Sequence, residues 1–346
     1  MPRLYYTTMK LDIDSLFISR DAGGTIFVDK SWPGASDSND GLSATEPKLT
    51  IGGAVLAAGA GWTIRIAPGS YQENVVVPAG YDGLRMVGRA RDGPQKTSIA
   101  PATGIPLSIN CGYTEISYIE LVDTTPAVGD PHNTCLYATG YGHDFHDLSL
   151  SGVSAGVWGI WMDDTDYGEI HDCYLQGAYV LNGIGIFLGN DSVGCRVYHN
   201  YLTKWGSGAG DPGPGGPNNG YAIGRHKDAQ RCVIEENDII DNYVGVYLYP
   251  PGGPTDIEGD YIGHNNFMED LSYDVYDEHI FPTSANVVDE NFYGYVAGTV
   301  NWYDDPNGDN VADYVIRCGP TNRDNHPLPG PYTWKNASRS ARVRVI

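Results

Sequence analysis

Phe145-His146-Asp147-Leu148, Ile170-His171-Asp172-Cys173, Val197-Tyr198-His199-Asn200, Ile234-Glu235-Glu236-Asn237, Gly263-His264-Asn265-Asn266 and Val288-Asp289-Glu290-Asn291 are one phrase written six times. Their last residues fall 25, 27, 37, 29 and 25 positions apart. The long interval holds the Gly/Pro-rich run Gly206 to Gly220, and removing about ten of its residues restores the period. A second column keeps the same step: Gly159-Ile160-Trp161, Gly185-Ile186-Phe187, Tyr221-Ala222-Ile223, Val246-Tyr247-Leu248 and Val275-Tyr276.

Short strands and tight turns repeating every 22 to 28 residues or so, with no helix between them, describe a parallel β-helix in which equivalent positions stack coil upon coil. Leucine-rich repeats share the period, but their LxxLxL frame is absent. Asn at the stacked turn (Asn200, Asn237, Asn266, Asn291) has a mechanism: it tolerates left-handed φ, and its amide can bond the Asn one coil away.

Outward from this core, Thr25-Ile26-Phe27-Val28-Asp29 reads as a strand and Ser36 to Gly41 as turns. Thr50 is the expected N-cap of one helix over 51–60, closed by Gly61, which would cover the open end of the first coil. The expected organisation is all-β: a lead-in over 1–23, a solenoid over 24–300 with the capping helix and a loop excursion at 206–220, and a closing segment over 301–346.

Composition agrees. The 346 residues include 45 Gly, 22 Pro and 25 Tyr, with only 18% charged residues, which excludes an all-helical fold. A formal charge of −22 makes nucleic acid and anionic membrane poor partners. No run approaches the ~18 apolar residues of a membrane helix, and Met1 to Thr8 lacks the apolar core of a secretory signal. Six cysteines without a CxxC pair form neither a disulfide scaffold nor a zinc site.

Two stretches carry a resemblance. Ile26 to Asp29, Ser38 to Gly41, Leu49 to Ile51 and Ile64 to Asn74 resemble the opening of right-handed parallel β-helix proteins of the pectate-lyase-like superfamily. The Asn-rich coil Asn237 to Leu248, with Asn291-Phe292-Tyr293, Asp305 to Asp313 and Asp324 to Leu328, resembles the carbohydrate-binding and sugar-hydrolase repeat class, to which a periplasmic copper-binding family belongs. The resemblance implies the right-handed fold over about 24–331. It does not select among lyases, hydrolases, virion spikes and non-catalytic surface proteins.

Polar loops follow the second column: His143-Asp144, Asp163-Asp164-Thr165-Asp166, Asn190-Asp191, Arg225-His226-Lys227-Asp228 and Asp277-Glu278-His279. Stacked coils would align them along one face. Asp163 and Asp164 are candidate glycoside acid/base groups, and Arg225 or Lys227 a candidate lyase base. Asp144, Asp166, Asp191, Trp161 and His226 are candidate ligand contacts. The alternative is that solenoid turns are simply polar. Of Trp158 and Trp161, at least one should point outward, to stack on a sugar ring or to pack. His146 and His171 should stack about 5 Å apart, with His199 and His264 nearby, either as a copper or zinc site or as paired surface groups. Cys195 and Cys232 share a register that permits a disulfide or two buried thiols.

In the closing segment, Asp305, Asn307, Asp309 and Asp313 alternate as calcium ligands do, although a turn rich in Asp and Asn would look the same. The tail Ser338 to Ile346 alternates Arg with apolar residues and suits docking on an acidic surface. The leading functional expectation is an extracellular or virion-surface protein of the tail-spike, fibre or capsid-decoration type. It would be non-catalytic, bind a cell-surface glycan, contact other virion or surface proteins and assemble as a homo-oligomer, with a trimer favoured. A secreted polysaccharide lyase or glycoside hydrolase is the first alternative, and a surface-layer spacer the second.

Overall fold

The computed structural model describes residues 23–123, 134–152, 157–179, 183–206, 220–226, 228–249 and 259–268, and the strands Tyr273–Asp277, Val287–Asp289, Phe292–Gly294 and Ile316–Arg317. Among the described residues every strand pairing is parallel, and the strands build three sheets of ten, nine and nine. Each coil visits the first, second and third sheet in turn, as in Thr63–Ile66, Gly69–Tyr71 and Val75–Val77. This is the right-handed parallel β-helix expected from the repeat.

The register explains why the phrases recur. Phe145, Ile170, Val197, Ile234 and Ile262 lie one above another in the first sheet, all buried. Ile160, Ile186, Ile223, Val246 and Val275 do the same in the third. Three of the quoted phrases are therefore out of phase by one residue: Ile223 stands where the column aligns Ala222, Val246 where it aligns Tyr247, and Ile262 where it aligns Gly263.

The same slip corrects the Asn ladder, whose third member is Asn265 rather than Asn266. The Asn200 N–H and Nδ2 donate to Asn237 Oδ1, each at 3.0 Å, and those of Asn237 donate to Asn265 Oδ1 at 3.1 and 3.0 Å. All three are fully buried. Asn266 instead donates to Asp238 at 2.8 Å, and Asn291 lies outside the described residues. Nor does the Asn take the left-handed φ. The residue before it does: Asp147, Asp172, His199, Glu236 and His264 have φ between 52° and 57°. The bend falls on that half-buried corner, which leaves the Asn amide pointing inward to satisfy the turn's buried backbone.

The helix spans Ile51–Ala57 and stops three residues short of the expected end. The Thr50 hydroxyl accepts from Gly53 N–H, and the Glu73 carboxylate accepts from Ile51 and Gly52 N–H at 2.9 and 2.8 Å. Its buried Ile51, Ala54 and Val55 close the core above the first coil. Beyond it, Gly61 turns with φ 71° and its N–H is claimed by Asp82 O, so the chain leaves the helix to begin the first full coil.

Gly206 and Gly220, which bracket the expected excursion, abut each other. A Cβ on Gly220 would lie 2.7 Å from Gly206 Cα; residues 207–219 between them lie outside the described residues. The lead-in, the loop Asp305 to Asp313 and the tail Ser338 to Ile346 lie outside the described residues. No helix among the described residues is long and apolar enough to cross a membrane.

Candidate functional site

Along a strand, side chains alternate between core and surface, so each residue after an inward Ile of the third sheet points outward. Trp161, Phe187, Gly224 and Tyr247 occupy that row. Around it Tyr137 meets Trp161 edge-on at 5.1 Å, Trp158 packs 5.0 Å from Trp161 and 4.7 Å from Phe187, and Tyr247 stacks on Tyr221 at 5.0 Å. Tyr249 closes the set, 4.6 Å from Tyr247 and 6.0 Å from His226, with its hydroxyl 2.8 Å from that of Tyr221. The result is a continuous aromatic floor on the outside of the third sheet, separate from the interior core. Phe187, Tyr221 and Tyr247 are buried in it, while Tyr137, Trp158, Trp161, Tyr249 and His226 are half-buried along its margin.

Asp163 stands next to Trp161 on this face. Its Oδ2 accepts from the Tyr137 hydroxyl at 3.2 Å, and its Oδ1 accepts from Asn190 N–H and Nδ2 at 3.1 and 3.2 Å. Burial and the Asp163 charge push the Tyr137 phenol up to about 12, so it keeps its proton at neutral pH. Gly189 makes this fit possible, since a Cβ there would lie 2.5 Å from Trp161 Nε1 and 2.6 Å from Asp163 Oδ1. His226 Nδ1 lies 3.4 Å from Asp228 Oδ2 at the floor's edge.

The structure thus brings together Trp161, Asp163 and His226, with Asp164 exposed at the register shift inside the strand Trp158–Asp166 and Asp191 exposed in the adjoining turn, at φ 47° and 54°. Asp166 continues past that bend, paired in register with Tyr141 and Val193. Burial, with Asp164 adding to it, raises its carboxyl against the opposing Val193 N–H bond. Lys227 lies outside the described residues, as do the side chains of Asp277 and the loop after it.

Two candidates are displaced. Arg225 does not face solvent. It pairs in register with Leu188 and Leu248, is fully buried, and its Nε lies 2.7 Å from the equally buried Asp260 carboxylate. A base so sealed reaches no substrate. Asp144 belongs to the first sheet, where its Oδ1 lies 3.0 Å from His171 Nε2. His143 beside it is buried against Phe145. The expected single polar face is therefore split between two sheets.

On the first sheet the imidazoles of His146 and His171 do stack, 5.1 Å apart and 8° from parallel, with Tyr198 continuing the stack. Carboxylates hold both rings: Asp147 and Glu115 for His146, Asp172 and Asp144 for His171. His199 sits instead in the turn, bonded to Glu236. Cys195 and Cys232 are stacked, buried thiols, and the bond from Cys195, with burial, pushes the Cys232 thiol well up.

Burial opposes charge on both histidines, yet the carboxylate bonds outweigh it and lift His146 to about 10 and His171 to about 9. A folded-state pKa above the unfolded value near 6.5 means stability that is fully present below pH 6.5 and lost as pH rises through 9 to 10. The melting temperature is therefore expected to fall between pH 6.5 and 10 in the native protein, and to fall less in His146→Gln. Parallel pH profiles for the two proteins would contradict this coupling.

The sequence matches no family model and no curated protein. Solved structures do resemble the fold. A pectin methylesterase variant in complex with a hexasaccharide aligns with TM-score 0.51 and 17% identity, over 80% of this chain and 91% of that one. XylC in complex with xylose aligns with TM-score 0.56 and 12% identity, over 78% and 66%. Pectate lyase Pel9A aligns with TM-score 0.53 and 14% identity, over 81% and 73%. The likeness at these identities is one of fold.

Proposed function

We propose that the chain is an extracellular carbohydrate-active protein that lays a polysaccharide along the aromatic floor of its third sheet, acting on it as a lyase or glycoside hydrolase. The observation that carries this reading is the joining of Trp158, Trp161 and Tyr249 to Asp163 and a proton-bearing Tyr137. Aromatic faces suit the C–H faces of sugar rings, and a carboxylate hydrogen-bonded to a neutral phenol is an acid–base pair placed beside them. The named ligands and activities of the three structural neighbours, a hexasaccharide, xylose and pectate lysis, support the same substrate class.

One observation favours the non-catalytic glycan-binding reading, such as a virion appendage. Arg225, the candidate lyase base, is locked to Asp260 inside the solenoid. The two readings separate in one experiment. Binding and turnover are measured on a panel of plant and bacterial polysaccharides, with unsaturated products marking a lyase and new reducing ends alone a hydrolase. Trp161→Ala is expected to weaken binding roughly tenfold, the loss of about 1.4 kcal/mol, and Asp163→Asn to abolish turnover while binding persists. Binding without any turnover selects the appendage reading. Unchanged binding in Trp161→Ala would overturn both.

A further inference from the structure

The outward row of the first sheet begins with Phe27, Arg65, Val87 and Ser117 on successive coils, in register. Over these residues lie two cavities of about 490 and 350 Å³ that share Arg65, Val87 and Tyr118 and so form one cleft. Each is within the range of small-ligand pockets. The cleft belongs to the first sheet, so it is distinct from the aromatic floor on the third.

Its charge is what sets it apart. Seven lysines and arginines lie between residues 24 and 100 of this acidic chain. Five are engaged: Lys30 with Ser70 O, Lys48 with Asp37 O, Arg85 with Glu115, Arg91 with Asp172 O and Lys96 with Glu120. The other two, Arg65 and Arg89, are exposed and without an ion-pair or hydrogen-bond partner for the guanidinium, and both line this cleft. Between them run apolar surfaces from Phe27, Val87 and Pro68, and Tyr118 is 41% exposed at the rim. At the far end Arg85 is held in a two-pronged pair by Glu115, at 2.7 and 3.0 Å, which fixes that wall and keeps Glu115 from quenching Arg65.

The same cleft also holds Asp29, whose Oδ1 is taken by the Ser31 N–H and hydroxyl, and the Glu115 carboxylate, taken by Arg85 and His146. With these acids engaged, the free guanidiniums beside apolar and aromatic surface select an anion carried on a ring. We infer that this N-terminal cleft is a second saccharide site, one that takes an anionic sugar unit bearing a carboxylate or a sulfate ester. It goes beyond the floor's proposed role, and its ligand is held by charge where the floor holds sugar faces. A protein of net charge −22 would otherwise repel such a chain, so the two arginines supply the local attraction that lets an acidic glycan approach.

The test uses the full chain and three hexasaccharides: a uronide, a sulfated neutral sugar and an unmodified xylan fragment. Calorimetry with the double variant Arg65→Gln/Arg89→Gln is expected to show at least tenfold weaker binding of an anionic hexasaccharide, with binding of the xylan fragment unchanged. Affinity for the anionic ligand should also fall as salt rises. Binding of the uronide alone, or of the sulfated sugar alone, identifies which anion the site takes. Anionic ligands that bind the double variant as well as the native protein, or that do not bind the native protein at all, would overturn the inference. Trp161→Ala should leave this anionic component intact, so failure of the floor reading and failure of this one give different results. Both arginines are exposed, so the double variant should keep the native circular dichroism.

Discussion

Arg225→Ala is expected to cost about 3–5 kcal/mol of unfolding free energy, the loss seen when one partner of a buried ion pair is removed and the other is left charged in the interior. The reason lies in the surroundings of Asp260. It is 1% exposed, its Oδ2 faces Arg225 Nε at 2.7 Å, and its Oδ1 accepts the Cys232 N–H at 2.8 Å. Arg225 also donates through Nη1 to the His226 and Tyr249 carbonyls, at 3.0 and 3.4 Å, which ties one coil to the next at the edge of the aromatic floor. Asp260→Asn should cost less, because the amide can keep the bond to Cys232 N–H. The double variant Arg225→Met/Asp260→Leu should recover most of the loss, since a well-packed apolar pair of similar volume often replaces an ion pair without penalty. Urea midpoints of the four proteins decide the matter. An Arg225→Ala midpoint near that of the native protein would show that water reaches the pair.

That Arg225 faces inward could have been read from alternation. It lies two residues after Ile223, and period two sends both to the core. The run Arg225-His226-Lys227-Asp228 instead reads as a solvated turn, because its composition is polar and its partner Asp260 sits in a later coil with no local signal. The floor shows the converse. Trp161 and Phe187 stand in the quoted phrases directly after inward residues, so their outward direction was legible there, whereas Tyr247 is set in the column's inward position and faces outward by the one-residue slip. Tyr137 obeys the same rule, since Leu136-Tyr137 pairs in register with Ile160-Trp161, but it lies one coil before the first phrase of the quoted column. The one-residue slip at Asn265 has its own cause: two adjacent asparagines fit the turn equally well by type, and only the buried amide network separates them. Repetition specifies coil and register because a slip would turn the buried row outward. It carries no information about what crosses between coils.

Trp205→Ala is expected to lower stability by about 3–5 kcal/mol, the range for emptying a buried aromatic site, and to do so in the coils that carry the floor. Among the described residues Trp205 is the largest fully buried side chain, and the chain makes room for it with glycine. Gly177, Gly185 and Gly159 place their Cα hydrogens against the indole, so that a Cβ would lie 3.0, 3.1 and 3.4 Å from ring atoms. Gly159 directly follows Trp158, and Gly185 sits between Ile184 and Ile186 in the same sheet, so the indole underlies the strands that present Trp158 and Phe187. Its Nε1 donates to Leu175 O at 3.2 Å, and its own N–H is taken by Asn242 Oδ1 at 3.1 Å. Truncation leaves a cavity bounded by glycine backbone, which has no side chains to move in and fill it. Trp205→Phe should lose less, keeping most of the volume while leaving the Leu175 carbonyl without its donor. Gly185→Ala, whose Cβ would fall 2.4 Å from the Ala222 carbonyl oxygen and 3.1 Å from both Trp205 and the Leu202 side chain, should be destabilising by about 1–3 kcal/mol as an overpacked site. In a solenoid each coil leans on its neighbours alone, so hydrogen exchange should rise first in the strands Trp158–Asp166, Ile184–Leu188 and Tyr221–Arg225, and last in the N-terminal coils beneath the helix. Uniform loss of protection along the whole chain would mean that Trp205 holds the solenoid together globally, and would refute the local account.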